Sequence, residues 1–190
     1  MSKRPVKIEH SHLEQKIQLR INHLPKKKKI TVLDVFHGDG TIWRNITAKI
    51  DKEIAIIGID KKGGGPGLQL TGDNVRFLKS MNLAIYDVID LDAYGVPYQA
   101  LKEVLRNCTV KKGTAIFLTF IQVGAPGVQG VLPYAMLEEL GYTRKMIKKI
   151  PRLFYRDGFE KFKQYLACNG IKKMAYIQKK SKFYIYCRTS

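Results

Sequence analysis

Cysteine is scarce in this sequence, and long hydrophobic runs are absent. The three cysteines, Cys108, Cys168 and Cys187, are odd in number and form no Cys-x-x-Cys pair. They predict neither a disulfide framework nor a zinc site, and no other metal site is predicted. No run of about 18 apolar residues occurs, and the N-terminal stretch MSKRPVKIEH lacks the apolar segment of a signal peptide. We expect a soluble, cytoplasmic protein that does not associate with membranes.

Acidic residues are also few, because 34 lysines and arginines face only 16 aspartates and glutamates, for a formal net charge of +18. Such an excess attracts polyanions through counterion release, whatever their sequence. The basic segments are not paired with an apolar helix of the kind that lies on membranes. Nucleic acid, RNA ahead of DNA, is the expected partner, and a solvated lysine-rich surface is the alternative. The basic segments are 25–29, 144–152, 171–173 and 178–182.

The central part of the chain alternates β-branched apolar runs with helical patterns. Its 190 residues, 45% of them hydrophobic, are enough for one compact core. Strands that alternate with helices are typical of right-handed βαβ units, which form a parallel sheet covered on both faces. The five strands predicted in this part are 30–36, 54–60, 68–73, 84–92 and 113–123.

The chain has a different character at its two ends. Before the first strand, residues 11–23 predict a helix that opens with a capping box from Ser11 to Glu14. We therefore expect residues 1–29 to form a basic, helical extension and residues 30–190 to form a single domain.

The last segments, 172–178 and 182–188, predict two strands of an antiparallel hairpin. Added to the five central strands, they predict a seven-stranded, mostly parallel sheet in a three-layer α/β sandwich. In such a sheet ligands bind beyond the carboxyl ends of the strands.

The first strand ends in VLDVFHGDG, residues 32–40. Gly38 and Gly40 would let the backbone approach a ligand closely before the next helix begins. A dinucleotide-binding fingerprint needs a third small residue where this chain has Trp43, so a nicotinamide or flavin dinucleotide is disfavoured. The Gly-Lys-Ser/Thr of a phosphate-binding P-loop is absent as well.

Two further acids stand where predicted strands end. Asp60 closes the second strand, where a carboxylate can accept hydrogen bonds from both hydroxyls of an adenosine ribose. Asp73 precedes a predicted helix and could accept from an adenine amino group. Aspartate is also a common helix N-cap, and for Asp73 the two interpretations stay open.

Taken in order, these motifs resemble those of the Rossmann-like, class I S-adenosylmethionine-dependent methyltransferases. The resemblance covers roughly residues 30–125 and agrees with the C-terminal hairpin. It implies the Rossmann-like fold, a methyl-transfer activity and S-adenosylmethionine as cofactor. It also implies a set of cofactor-binding residues, namely Asp34, His37, Gly38, Gly40, Asp60, Asp73 and Asn74.

The segment DVIDLDAYGVP, residues 87–97, is similar to the Asp-Leu-Asp-Pro-Phe-Gly-x-Pro segment of tRNA guanine-26 N2-dimethyltransferases. By this resemblance Asp92 receives the hydrogens of a target amine and Tyr94 stacks on the base, which makes both catalytic candidates. Hydrogen-bond acceptors placed at an exocyclic amine localise the lone pair that is otherwise conjugated with the ring, which makes the amine a better nucleophile. A target base within a duplex would also need to be flipped out. Asp90 is expected to orient the loop. Ala93 departs from the family, which has proline there.

Two classes of function follow. The first is an enzyme that methylates an exocyclic amino group of a base in RNA or DNA. The second is a catalytically inactive methyltransferase-fold module that binds nucleic acid, which Ala93 favours. A methyltransferase acting on protein or on a small molecule is a third possibility.

Overall fold

A computed structural model describes residues 12–93, 97–122, 134–149 and 157–190. The strands are β1 (Lys29–Asp34), β2 (Glu53–Asp60), β3 (Leu68–Thr71), β4 (Val88–Leu91), β5 (Ala115–Ile121), β6 (Lys173–Lys179) and β7 (Lys182–Arg188). The helices are α1 (Leu13–His23), α2 (Thr41–Lys49), α3 (Asn74–Ser80), α4 (Tyr98–Arg106), α5 (Tyr134–Glu139), α6 (Arg144–Lys149) and α7 (Gly158–Cys168).

The seven strands form one sheet in the order β3-β2-β1-β4-β5-β7-β6. The first five strands are parallel, whereas β7 runs antiparallel to both β5 and β6. Helices cover both faces of this sheet. The predicted three-layer, Rossmann-like α/β sandwich with a C-terminal hairpin is confirmed.

Alternate side chains of the central strands supply two separate apolar cores. Leu33 of β1 packs with residues of α3, α4, α5 and α7 on one face. Its neighbours Ile30 and Val32 pack with Ile17 of α1 and Trp43 of α2 on the other face. This alternation follows from the two-residue period of a strand, and it explains why strands buried on both faces are apolar throughout.

One local expectation needs correction. Residues 84–92 were expected to be strand throughout, but β4 begins at Val88 because a 3₁₀ turn occupies Leu83–Ile85. The Asn82 side chain accepts a hydrogen bond from the backbone N–H of Ala84 and so favours the turn. The expected capping box begins at Ser11, outside the described residues.

At α1 the N-cap is His12, whose side chain makes no capping hydrogen bond. No helix among residues 12–93, 97–122, 134–149 and 157–190 is long and apolar enough to cross a membrane.

Candidate cofactor and acceptor site

A cavity of about 1350 Å³ opens at the carboxyl ends of β1 and β2, where the fold places ligands. Its walls come from the loop after β1, the glycine-rich loop after β2, the first turn of α3 and the start of α4. Of the predicted cofactor residues, Gly38, Asp60, Asp73 and Asn74 line it. The cavity is large enough for a nucleoside-sized ligand.

Asp60 stands at the end of β2 and joins two loops of this wall. Its Oδ2 accepts a hydrogen bond from the backbone N–H of Gly38 at 3.1 Å, and its Oδ1 accepts one from that of Lys62 at 2.9 Å. A carboxylate offers about four acceptor sites, so Asp60 retains acceptor capacity toward the cavity. Such an arrangement can receive two vicinal hydroxyls.

The start of α3 forms another part of the wall. The Asp73 side chain accepts from the backbone N–H of Arg76 at 3.0 Å, which confirms Asp73 as the N-cap. Asp73 also lines the cavity, so its two interpretations are compatible. The adjacent Asn74 donates from Nδ2 to the carbonyl oxygen of Val35 at 2.8 Å. That bond fixes the start of α3 against the end of β1.

Asp34 and His37 are not lining residues of the cavity. Nδ1 of His37 lies 3.0 Å from Oδ2 of Asp34, and Nε2 lies 3.1 Å from the carbonyl oxygen of Pro66. Since a carbonyl only accepts, Nε2 carries a proton in this arrangement. His37 therefore connects the end of β1 to the glycine-rich loop.

The electrostatics of this pair follow from burial and from the contact itself. Burial raises the pKa of Asp34 to about 6, against the opposing effect of its hydrogen bond to His37. The same hydrogen bond raises the pKa of His37 above its ordinary value. The protonation of each group therefore depends on the protonation of the other.

Glycines of the two loops and of β2 leave room for the His37 imidazole. A Cβ on Gly40, where φ is +68°, would come within 2.9 Å of His37 Nε2, and one on Gly58 within 2.5 Å of His37 Cγ. A Cβ on Gly65 would lie 2.7 Å from the carbonyl oxygen of Gly38. Gly40 leaves room for the imidazole, and Gly38 alone of the pair lines the cavity. The expected approach of the two glycines to a ligand stays a prediction.

Asp90 lies in a buried ion pair behind the cavity. Oδ2 of Asp90 accepts from Arg20 Nε at 2.7 Å and from Trp43 Nε1 at 2.9 Å, and Oδ1 accepts from Arg20 Nη2 at 2.8 Å. Arg20 and Asp90 are 2% and 1% exposed, so this bidentate pair is fully desolvated. Burial alone would lower the pKa of Arg20, but the charge of Asp90 raises it above its ordinary value.

Trp43 stands where a dinucleotide fingerprint would have a small residue. Its indole N–H donates a hydrogen bond to the buried carboxylate of Asp90. Asp90 Oδ1 also accepts from the backbone N–H of Asp92 at 3.2 Å. A residue that orients the chain after β4 would make such a contact.

Asp92 is engaged by three side chains. Lys16 Nζ lies 2.9 Å from Oδ2, Arg20 Nη2 lies 3.3 Å from Oδ2, and Thr119 Oγ1 donates to Oδ1 at 2.5 Å. Burial alone would raise the pKa of Asp92, but the charge of Arg20 and then that of Lys16 lower it. Ala93, and not Asp92, lines the cavity. Tyr94 lies outside the described residues.

In this arrangement Asp92 is not a lining residue of the cavity. Its acceptor sites are occupied by α1 and β5, so it can receive an amine only after the contact with Lys16 opens. Its catalytic role stays a prediction. No group of three or more potential metal-ligating side chains is found within the described ranges.

Sequence reasoning missed Lys16, Arg20 and Thr119. Arg20 had a detectable signal, because it stands three residues after Ile17 and four before Leu24, on the apolar face of α1. An arginine on a buried helix face requires an acid partner. Thr119, inside an apolar strand, carries no such signal.

The chain has the fold of Rossmann-like, class I methyltransferases. No family model matches the sequence, and no curated protein is similar to it in sequence. Solved structures are similar in fold. A candidate class I S-adenosylmethionine-dependent methyltransferase from Listeria monocytogenes superposes with a TM-score of 0.57 at 14% identity, over 98% of this chain and 63% of that one.

Two other solved structures are similar over almost the whole of this chain. A candidate rRNA-methylase from Clostridium thermocellum gives a TM-score of 0.55 at 13% identity, covering 97% of this chain and 99% of that one. The P. horikoshii protein TYW2, solved in complex with MeSAdo, gives 0.54 at 14% identity, covering 99% of this chain and 65% of that one. The chain thus spans about two thirds of the Listeria and P. horikoshii proteins and nearly all of the Clostridium one.

Proposed function

We propose that this protein is an S-adenosylmethionine-dependent methyltransferase that acts on an exocyclic amino group of a nucleic-acid base, RNA ahead of DNA. The observation that carries the proposal is the cavity at the carboxyl end of the sheet, which has Asp60 and Asp73 on its wall. The resemblance of the motifs and the similarity to solved methyltransferases in fold both support it.

The residues on the cavity wall fit this cofactor. Asp60 would hold the two ribose hydroxyls, the carboxylate of Asp73 would accept from the adenine amino group, and the loop at Gly38 would lie along the ligand. S-adenosylmethionine supplies a methyl group on a sulfonium, so the cofactor brings most of the reactivity. The protein contributes alignment of the incoming amine, which is worth several kcal/mol.

The acceptor side of the cavity is formed by the chain after β4. Ala93 and Pro97 both line the cavity. Asp92 is held by Lys16 and Thr119 immediately before this segment. In this arrangement Asp92 fixes the direction in which the chain leaves β4. It would accept an amine hydrogen directly only if Lys16 moved away.

Nucleic acid is proposed as the substrate because the whole chain has a charge of +18 and because the fold is similar to that of the candidate rRNA-methylase. A polycation attracts polyphosphates over distances of about a Debye length. A small-molecule or protein substrate would not account for this excess of lysine.

The proposal is tested by incubating the protein with S-adenosylmethionine labelled in its methyl group and with separate pools of tRNA, rRNA and DNA. We expect label in at least one RNA pool. Nuclease digestion and chromatography should then find it on an amino-methylated base. Label on protein alone, or on no pool although the cofactor binds, would contradict the proposed substrate.

Asp92→Asn distinguishes a catalytic from a purely structural role of this carboxylate. We expect the rate of transfer to fall by about 10²-fold or more, as for a lost proton acceptor, while S-adenosylmethionine binds unchanged in calorimetry. Thr119→Val serves as the matched control, because it removes one contact to Asp92 and keeps the charge. If both variants lose transfer only in proportion to their loss of folded protein, Asp92 is structural.

The second candidate, a nucleic-acid-binding module without catalysis, is favoured by two observations. Ala93 replaces the proline that resembling enzymes have, and the Asp92 carboxylate is occupied by α1. A calorimetric titration of the wild-type protein with S-adenosylmethionine distinguishes the two candidates, since a module that has lost catalysis has no need to bind this cofactor.

A further inference from the structure

The loops at the amino ends of the strands, opposite the cofactor cavity, form a second surface. The connector after α1 leads into Lys29, and Lys52 donates from Nζ to the carbonyl oxygen of Lys27 at 2.7 Å. On the same side the backbone N–H of Gly113 donates to Thr189 at 3.0 Å. These contacts join the starts of β1, β2 and β5 and the end of β7. We call this surface the amino edge.

The amino edge is strongly basic. In the part of the chain that the structure describes, ten basic side chains lie there with three acidic ones. The basic side chains are the exposed Lys26, Lys27, Lys28, Lys29, Lys111, Lys112, Lys172 and Lys173 and the half-buried Lys52 and Arg188. The acidic side chains are Asp51, Glu53 and Asp87.

The three acids neutralise only part of this charge. Asp87 accepts from both Lys27 Nζ at 2.6 Å and Lys111 Nζ at 2.9 Å, and Glu53 pairs with Lys29 at 3.0 Å. One buried acid thus brings two loop lysines together. Burial alone would raise the pKa of Asp87, but the hydrogen bonds from the two lysines lower it below its ordinary value.

Other cations of the amino edge have no acid partner. The side chains of Lys112, Lys172 and Lys173 make no ion pair or hydrogen bond with the residues that the structure describes. Arg188 has a buried Nε without an acceptor among those residues. A buried unpaired donor costs free energy, and an anionic oxygen at this edge would remove that cost.

We propose that the amino edge is a docking surface for the phosphates of a nucleic-acid strand, distinct from the cavity in which the target base would react. The inference rests on the proposed nucleic-acid substrate and adds where its backbone lies. The edge crosses six strands from β2 to β6, which at about 4.8 Å per spacing gives roughly 24 Å. A strand that rises about 3.4 Å per nucleotide would place about seven phosphates over this length.

The position of the amino edge sets a minimum length for the substrate. The edge is separated from the cavity by the length of β1, which is about 20 Å at 3.3 Å per residue. A short oligonucleotide can occupy the cavity or the edge, but only a folded or long RNA reaches both. The lysines of the edge should therefore promote methyl transfer to long substrates and have no effect on transfer to short ones.

The test compares two triple variants with equal loss of charge, K112Q/K172Q/K173Q at the amino edge and K145Q/K148Q/K149Q on α6. Binding is measured by fluorescence anisotropy with an RNA hairpin of about 40 nucleotides, at several salt concentrations. For the edge variant we expect affinity at about 0.1 M salt to fall at least tenfold and the slope of log K against log salt to decrease by about 2. The α6 variant should stay within about twofold of the wild type.

Equal losses of RNA affinity in both variants would mean that only net charge matters. No loss of affinity in the edge variant would mean that RNA binds elsewhere. Either result overturns the docking surface. Wild-type protein that binds anionic lipid vesicles and not RNA overturns it too. If the edge variant loses RNA affinity while the wild type transfers no methyl group, the docking surface stands and the proposed catalysis fails. Normal S-adenosylmethionine binding by both variants confirms that they are folded.

Discussion

Arg20→Met is expected to destabilise the domain by about 3–5 kcal/mol, the cost of removing one partner of a buried ion pair. The change leaves Asp90 buried with Trp43 Nε1 as its remaining side-chain donor. Asp92 keeps Lys16 and Thr119. Methionine retains most of the apolar volume of the arginine stem, so the loss reports the charge and not a cavity. Urea unfolding followed by circular dichroism measures the change.

Arg144→Met is the matched control for this substitution. Arg144 pairs with Glu138 at 2.9 Å, but its side chain is 71% exposed, and exposed pairs contribute about 0–1 kcal/mol. A loss in Arg20→Met no greater than in Arg144→Met would contradict the view that the buried pair holds α1 to the sheet.

Asp60→Ala is expected to weaken binding of S-adenosylmethionine by at least tenfold. Hydrogen bonds to a charged group contribute about 1.5–3 kcal/mol each, and one such loss already corresponds to roughly a tenfold to hundredfold change in affinity. The variant also loses the acceptors for the backbone N–H groups of Gly38 and Lys62. The cavity wall should therefore loosen as well. Isothermal titration calorimetry measures the affinity.

The control for Asp60→Ala is Asp51→Ala, which removes an exposed acid at the opposite end of the sheet. It changes the net charge equally and should leave the affinity as it is. If Asp60→Ala binds the cofactor as the wild type does, Asp60 is a loop-fixing residue and not a ribose acceptor.

Much of the fold is predictable because it depends on patterns that lie close together in sequence. The β-branched runs ending in Asp34 and Asp60 predict parallel strands, and 182–188 predicts the return of the hairpin. Asp73 before a helix predicts its N-cap. In each case the local sequence preference and the tertiary context favour the same structure, so the sequence pattern is sufficient to predict the element.

The site is less predictable because its contacts join residues far apart in sequence. Arg20 and Asp90 meet across 70 residues, and His37 and Pro66 meet across 29. Nothing near Asp92 in sequence indicates that Lys16 occupies its carboxylate. The motif correctly places Asp92 after a central strand, but the direction of its side chain depends on Lys16, which precedes it by 76 residues.

The contact between His37 and Gly58 restricts the order in which these two positions can change during evolution. A methyl group on Gly58 would overlap the imidazole, at 2.5 Å from its Cγ. The Cβ of His37 would also lie 2.9 Å from that methyl group, so the overlap disappears only when position 37 carries glycine. A lineage that first replaces His37 with glycine can later accept alanine at position 58, whereas the reverse order passes through a clashing intermediate. Geometry thus makes the two substitutions epistatic, with one accessible order.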